Sequence, residues 1–222
     1  MTLREGARDA GQDGTAGVVL GAKYYIGNGA MIDDDAIPDA GKFFSLLHVG
    51  LKATQARCGD DKVPLLDALA ELRRLCLKAT LDGKSKVVLI GNGGSSAIAS
   101  HIATDYSKNG GIRTVAFNDA PTLTCLGNDF GIDEIFAKQL EFYAFPGDVV
   151  IIVSSSGKSG NILRAAEQAF SMGLDLVTFS GMNPNNMLRE KGILSFFVPA
   201  KDYGLVEIAH LALLHSVVSV RP

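Results

Sequence analysis

Apolar residues follow two rhythms along this chain. Between residues 38 and 81 they recur every three or four positions: Phe43, Phe44, Leu47 and Leu51, then Leu65, Leu69, Leu72, Leu75 and Cys76. That spacing predicts two amphipathic helices, over about 38–57 and 62–81, the second stopped by Gly83. From Lys86 onward short unbroken apolar runs alternate with helical stretches. The runs predict strands at 86–90, 113–117, 148–153, 175–179 and 193–198. Helices are predicted between them at 97–108, 121–126, 134–144, 161–172 and 185–190. A last helix over about 205–220 carries Val206, Ala209, Leu213 and Val217 as its core stripe. Strands that are apolar on both faces and separated by helices predict an α/β fold, with a parallel sheet covered on both sides. In such sheets ligands bind beyond the carboxyl ends of the strands, where the strand order reverses.

Two loops stand at such ends. The run Val87 to Ile90 passes into Gly91-Asn92-Gly93-Gly94-Ser95-Ser96, and the run Val149 to Val153 into Ser154-Ser155-Ser156-Gly157-Lys158-Ser159-Gly160-Asn161. Glycine lets the backbone approach a ligand, serine caps a helix start, and the helix N-terminus offers free N–H groups to an anion. Neither loop is a nucleotide motif. Ser96 replaces the third glycine of a dinucleotide fingerprint, and Ile152 stands where a Walker A loop starts with glycine. A phosphorylated small molecule, with no nucleotide cofactor, is the ligand the pair suggests.

Composition narrows this further. The chain has 222 residues and a formal charge of −3, so no global field draws nucleic acid. No apolar run approaches the roughly 20 residues of a membrane span. Cys58, Cys76 and Cys125 are odd in number and widely spaced, which fits a reduced cytoplasm. Residues 1–36 show weak periodicity, and Asp33-Asp34-Asp35 reads as a solvated run. The chain is therefore divided into an extension, 1–36, disordered or held by a partner, and a single domain, 37–222.

The chemistry-bearing residues outside the loops are His101 and Asp105, four apart on one helix face, and Glu207, His210 and His215 on the last helix. A surface ion pair is the plain alternative for His101 and Asp105. At about 100° per residue His210 and His215 diverge by about 140°, so both cannot point squarely into one site. Geometry alone favours neither, and the plain alternative for His210 is a packed or interfacial role. Asn118 and Asp119 are candidate sugar-hydroxyl contacts, or Asp119 caps the following helix.

With these motifs the region from about Pro38 to Val220 resembles the sugar isomerase (SIS) domain, and within it the phosphoheptose isomerases. Gly91 to Ser95, Gly127-Asn128-Asp129-Phe130-Gly131, Ser154 to Asn161 and the Glu207, His210, His215 spacing carry the resemblance. It implies a three-layer sandwich with a five-stranded parallel, flavodoxin-like sheet, two N-terminal helices used in assembly, and a homotetramer. It implies conversion of sedoheptulose 7-phosphate to glycero-manno-heptose 7-phosphate, the entry to bacterial cell-surface (lipopolysaccharide) heptose synthesis. Ser95, Ser154, Ser156 and Ser159 match phosphate-contacting serines; Asn92, Gly93, Asp119 and Glu207 fall at substrate-binding places. Asp105 matches the catalytic glutamate and His215 the acid–base histidine. His101, Asp105, Glu207 and His215 together suit zinc, which some family members carry. This chain departs from the pattern at Asp105, one methylene short, at Glu207 for glutamine, at Lys158 for asparagine, and at Gly204 for an aspartate. The alternative is a non-catalytic phosphosugar sensor, a role in which relatives tend to lose the last-helix histidine.

Overall fold

The computed structural model describes residues 38–219 and two short strands before them, β1 (Tyr24–Tyr25) and β2 (Met31–Ile32), which pair antiparallel. The rest of the 1–36 extension lies outside the described residues. The chain divides into two units, Met1–Ser45 and Leu46–Pro222. Helix α1 (Pro38–Lys52) begins in the first and ends in the second.

The second unit is built on a seven-stranded sheet. Five strands form its parallel part: β5 (Val87–Gly91), β6 (Thr114–Ala116), β7 (Val149–Ser154), β8 (Asp175–Gly181) and β9 (Leu194–Val198). They lie in the order β9-β8-β7-β5-β6. This is the five-stranded parallel sheet that the sequence predicts, with an addition at one edge. There β3 (Gln55–Cys58) pairs antiparallel with β9, and β4 (Asp61–Val63) pairs antiparallel with β3.

That hairpin corrects the two N-terminal helices. Helix α1 stops at Lys52, not near 57, and α2 starts at Leu65 and runs to Lys78. Gly59, at φ +58°, makes the turn between β3 and β4, and Pro64 precedes α2, where its missing N–H costs nothing. The remaining helices are α3 (Gly93–Lys108), α4 (Ala120–Phe130), α5 (Ile135–Tyr143), α6 (Gly160–Ser171) and α7 (Tyr203–Ser219). The stretch expected as a helix at 185–190 is a single 3-10 turn, Met187–Glu190.

The core divides across the sheet by the two-residue period of its strands. Val87, Leu89, Val149, Ile151 and Val153 face α2, α3 and α7, where Leu72, Ile102, Tyr106, Val206, Ala209, Leu213 and Val217 complete one cluster. Val88, Ile90, Val150 and Ile152 face the opposite layer, with Phe136, Leu140, Ile162 and Ala166. Both faces of β5, β7, β8 and β9 are thus buried, which is why those strands read as unbroken apolar runs, while the edge strand β6 exposes Val115. Among the described residues no helix is long and apolar enough to cross a membrane.

Candidate active site

The strand order reverses between β5 and β7. From β5 the chain crosses through α3 to β6 on one side, then returns past β5 to β7 on the other. Gly91 and Val153 are register partners, so the two glycine- and serine-rich loops leave the sheet side by side. A reciprocal amide pair joins them. Asn92 Nδ2 donates to Asn161 Oδ1 at 2.9 Å, and Asn161 Nδ2 donates back to Asn92 Oδ1 at 3.1 Å. Asn161 is buried and was not singled out as a site residue; no local pattern links two amides 69 positions apart.

Each loop opens a helix. Asn92 is the N-cap of α3 and Ser159 that of α6, and neither side chain spends its oxygen on a cap hydrogen bond. Gly91 is closed in: a Cβ there would meet the Ser95 backbone at 2.7 Å. Ser95 and Ser154 are buried, and Ser156 and Ser159 are half-buried. Ser154 Oγ accepts from Gly157 N at 3.2 Å, folding the loop on itself. The Ser155 hydroxyl is buried and has no partner among the described residues. Gly157, at φ +60°, packs against Asn186, and its carbonyl accepts from Leu188 N at 3.2 Å. Lys158 is exposed. The Asp133 carboxylate lies against Gly160 at the start of α6, where the helix dipole favours a negative group. Asp133 too was missed in the sequence, because it stands in a 3-10 turn 27 residues before that helix.

Helices α3 and α7 lie side by side and run in the same direction. Glu207 meets Gly94, His215 meets His101, the Tyr106 hydroxyl donates to Leu214 O at 2.9 Å, and Val218 meets Gly110. This pairing gathers His101, Asp105 and His215. The two Nε2 atoms of the histidines are 3.0 Å apart. His215 Nδ1 lies 3.3 Å from Asp105 Oδ2, and His101 Nε2 lies 3.7 Å from the same oxygen. Asp105 Oδ1 accepts from Asn109 Nδ2 at 3.2 Å. The side chains are partly open, His101 at 55%, His215 at 31% and Asp105 at 22% of their full exposure, so a ligand can reach them. One ligand atom from each of the three lies within 4.8 Å of the others, and these residues could hold a metal ion.

Glu207 stands outside that group, with its carboxylate over Gly94 at the first turn of α3. Helical angle alone does not place it. Glu207 and His215 differ by only about 80° around α7, yet eight residues of rise separate them by about 12 Å. His210, on the other side of α7, is fully buried. Its Nε2 bonds Ser180 O at 3.1 Å, its ring meets Phe179 edge-on, and its Nδ1 has no partner among the described residues. Burial pulls its pKa down to about 4, so it is a neutral core histidine. Asp119 is the N-cap of α4: its Oδ2 accepts from Thr122 N at 3.1 Å and from Thr122 Oγ1 at 2.7 Å. Those bonds hold its carboxyl below the usual range. Asn118 donates to Ser96 O at 3.1 Å and to Ser100 Oγ, tying the end of β6 to α3. An open cavity of about 770 Å³ lies on that β6 side of α3, among residues that include Ser100, Thr104, Ser107 and Asn118.

Comparison with known proteins matches residues 62–181 to the SIS domain family. The chain is 37% identical over 159 residues to a phosphoheptose isomerase of Burkholderia pseudomallei (strain 1710b), covering 69% of this chain and 80% of that one. It is 32% identical over 142 residues to the phosphoheptose isomerase of Helicobacter pylori (strain HPAG1), covering 61% and 73%. The solved phosphoheptose isomerase of Neisseria gonorrhoeae superposes with a TM-score of 0.70 at 25% identity, covering 84% of this chain and 97% of that one.

Proposed function

Because the chain belongs to the SIS domain family and to its phosphoheptose isomerases, we propose that it is an aldose–ketose isomerase converting sedoheptulose 7-phosphate to glycero-manno-heptose 7-phosphate. The observation that carries this reading is the meeting of His101, Asp105 and His215 across α3 and α7, beside two joined anion loops. The reaction moves a proton between neighbouring carbons and needs a base and an acid over the same two atoms. Asp105 takes the proton from C1 of the ketose while His215 protonates the C2 carbonyl oxygen, giving the enediol. His215 then recovers the proton from the C1 hydroxyl as Asp105 returns its own to C2, leaving the aldose. The carboxylate beside His215 Nδ1 fixes the ring for this exchange. Asp105 therefore reaches the last helix without glutamate's extra methylene.

The phosphate sits on the serine loop, where Ser154, Ser156, Ser159 and the first N–H groups of α6 supply donors, with Ser95 across the sheet. Asn92 and Gly93 bound the sugar, and Lys158 adds a cation at the loop's exposed side. Ser156→Ala is expected to weaken substrate binding by the value of one charge-assisted hydrogen bond, on the order of 1.5–3 kcal/mol, or roughly ten- to hundred-fold. Calorimetric titration with the substrate checks this. Unchanged affinity would put the phosphate elsewhere.

Two imidazoles and a carboxylate converging within 4.8 Å also fit zinc. His101, Asp105 and His215 would hold it. A bound zinc ion would polarise the carbonyl oxygen and stabilise charge developing there. Zinc competition against a chromophoric chelator is expected to show one site. His101→Ala should weaken it by more than the roughly 10–100-fold typical of losing an outer-shell partner. Equal affinity in the variant would remove His101 from the set.

The protein acts as a cytoplasmic homotetramer in this reading. Phe44, Leu46 and Val49 on α1 and Leu66 on α2 are exposed apolar side chains of the kind a helix bundle between subunits would cover. The sensor reading is less favoured, since His215 is present and engaged with Asp105. The deciding experiment is turnover of sedoheptulose 7-phosphate followed by trapping of the aldehyde product. Binding without turnover would favour the sensor.

A further inference from the structure

A second polar cavity, of about 440 Å³, lies at the sheet edge among Arg57, Gly59, Asp60, Arg189, Glu190 and Gly192. It is made by the β3–β4 hairpin and the segment before β9. Arg57 and Arg189 both fall outside the residues matched to the SIS family, 62–181.

The two arginines are held without neutralisation. Arg189 is 7% exposed, and its guanidinium carbon lies 4.4 Å from the centre of the Phe197 ring. Its Nη1 donates to Pro184 O at 2.9 Å and its Nη2 to Gln55 Oε1 at 2.6 Å, both uncharged acceptors. These contacts aim the guanidinium as a fixed fork. Arg57 makes no side-chain hydrogen bond among the described residues. The Nε atoms of both are buried without a partner among the described residues. Neither arginine forms an ion pair among the described residues, although Asp60 and Glu190 line the same space. Its own burial, and after it the positive charge of Arg57, pull Arg189 below the ordinary guanidinium range, with the charge of Glu190 opposing them. Paired guanidiniums with donors to spare match the planar or tetrahedral oxygens of a carboxylate or phosphate, and phosphate takes both forks at once. The exposed Asp60 and Glu190 offer acceptors to hydroxyl groups.

We infer that this cavity is a second anion site, which binds a phosphate group through Arg57 and Arg189, with Asp60 and Glu190 receiving the hydroxyls of a phosphate monoester. None of its lining residues belongs to the His101, Asp105 and His215 cluster or to either glycine- and serine-rich loop, and its turn meets the serine loop only behind the cavity, where Leu188 N donates to Gly157 O, so it serves binding and not the isomerisation.

Nuclear magnetic resonance of the arginine Nε–Hε groups tests it on the full chain, since buried Nε protons exchange slowly. Inorganic phosphate is titrated first, then glycerol 3-phosphate, which carries hydroxyls. The Arg57 and Arg189 signals are expected to shift together along one saturating curve. Tighter binding of glycerol 3-phosphate would identify a hydroxylated monoester as the ligand; equal binding would identify free phosphate and overturn the role of the two carboxylates. Arg57→Gln should weaken the response of Arg189 at least tenfold while leaving isomerase turnover unchanged. Glu190→Gln keeps both guanidiniums and should tighten phosphate binding about two- to threefold. Signals that stay still or drift without saturation, or a titration unaltered in both variants, would overturn the assignment.

Discussion

Replacing His215 with glutamine is expected to lower turnover of sedoheptulose 7-phosphate by roughly a hundred- to ten-thousand-fold, the range that a positioned acid–base group contributes. Glutamine keeps much of the side chain's size and polarity but cannot exchange a proton. His215 is only partly exposed and touches Asp105 and His101, so the substitution disturbs the cluster and little of the core. The loss should fall on kcat, with KM nearly unchanged, because α7 meets the anion loops at Glu207, eight residues before His215. Steady-state kinetics on wild type and variant decide the point, with circular dichroism to show that the variant folds. Activity retained within tenfold would remove His215 from the chemistry. A rise in KM alone would make it a binding residue.

Acidification is expected to destabilise the protein through His210. Folded, this imidazole stays neutral until about pH 4; in the unfolded chain it takes up a proton near 6.5. Between those two values the unfolded state holds the extra proton, so stability falls as the pH drops from about 6.5 toward 4 and then levels off. Above about 6.5 neither state is protonated there, and the contribution is complete. The gap corresponds to about 3 kcal/mol, a large fraction of a typical domain's stability. His210→Gln can still donate to Ser180 O but does not titrate. Urea unfolding at pH 7 and pH 4.5 should show a smaller drop in the variant than in wild type. An identical drop in both would mean that His210 is protonated in the folded state at a pH close to 6.5.

The parallel sheet and both loops were legible because buried strands are short and apolar throughout, and glycine interrupts them at the sheet's carboxyl edge. The hairpin of β3 and β4 was not. Its strands hold four and three residues, and a span that brief carries no period to set against the helices on either side. The partners of the loops escaped for a different reason. Asn161 bonds Asn92, and Asp133 covers Gly160, through contacts between distant segments that only the strand order brings together. His101 and Asp105 were readable as chemistry by residue type and spacing, whereas the choice of His215 over His210 rested on the resemblance to the family, since angle around the helix favours neither. That Glu207 rests over Gly94 was not readable, since angle around a helix says nothing of distance along it.

The like direction of α3 and α7 gives the proposed enzyme a measuring rod. From Gly93, beside the anion loops, to His101 the helix advances about 12 Å. A molecule anchored by its charged end can offer its carbonyl to the histidines only if its carbon backbone spans that interval. Ketose phosphates of shorter skeleton, although equally able to dock their anionic end, would leave the proton-transfer groups facing water.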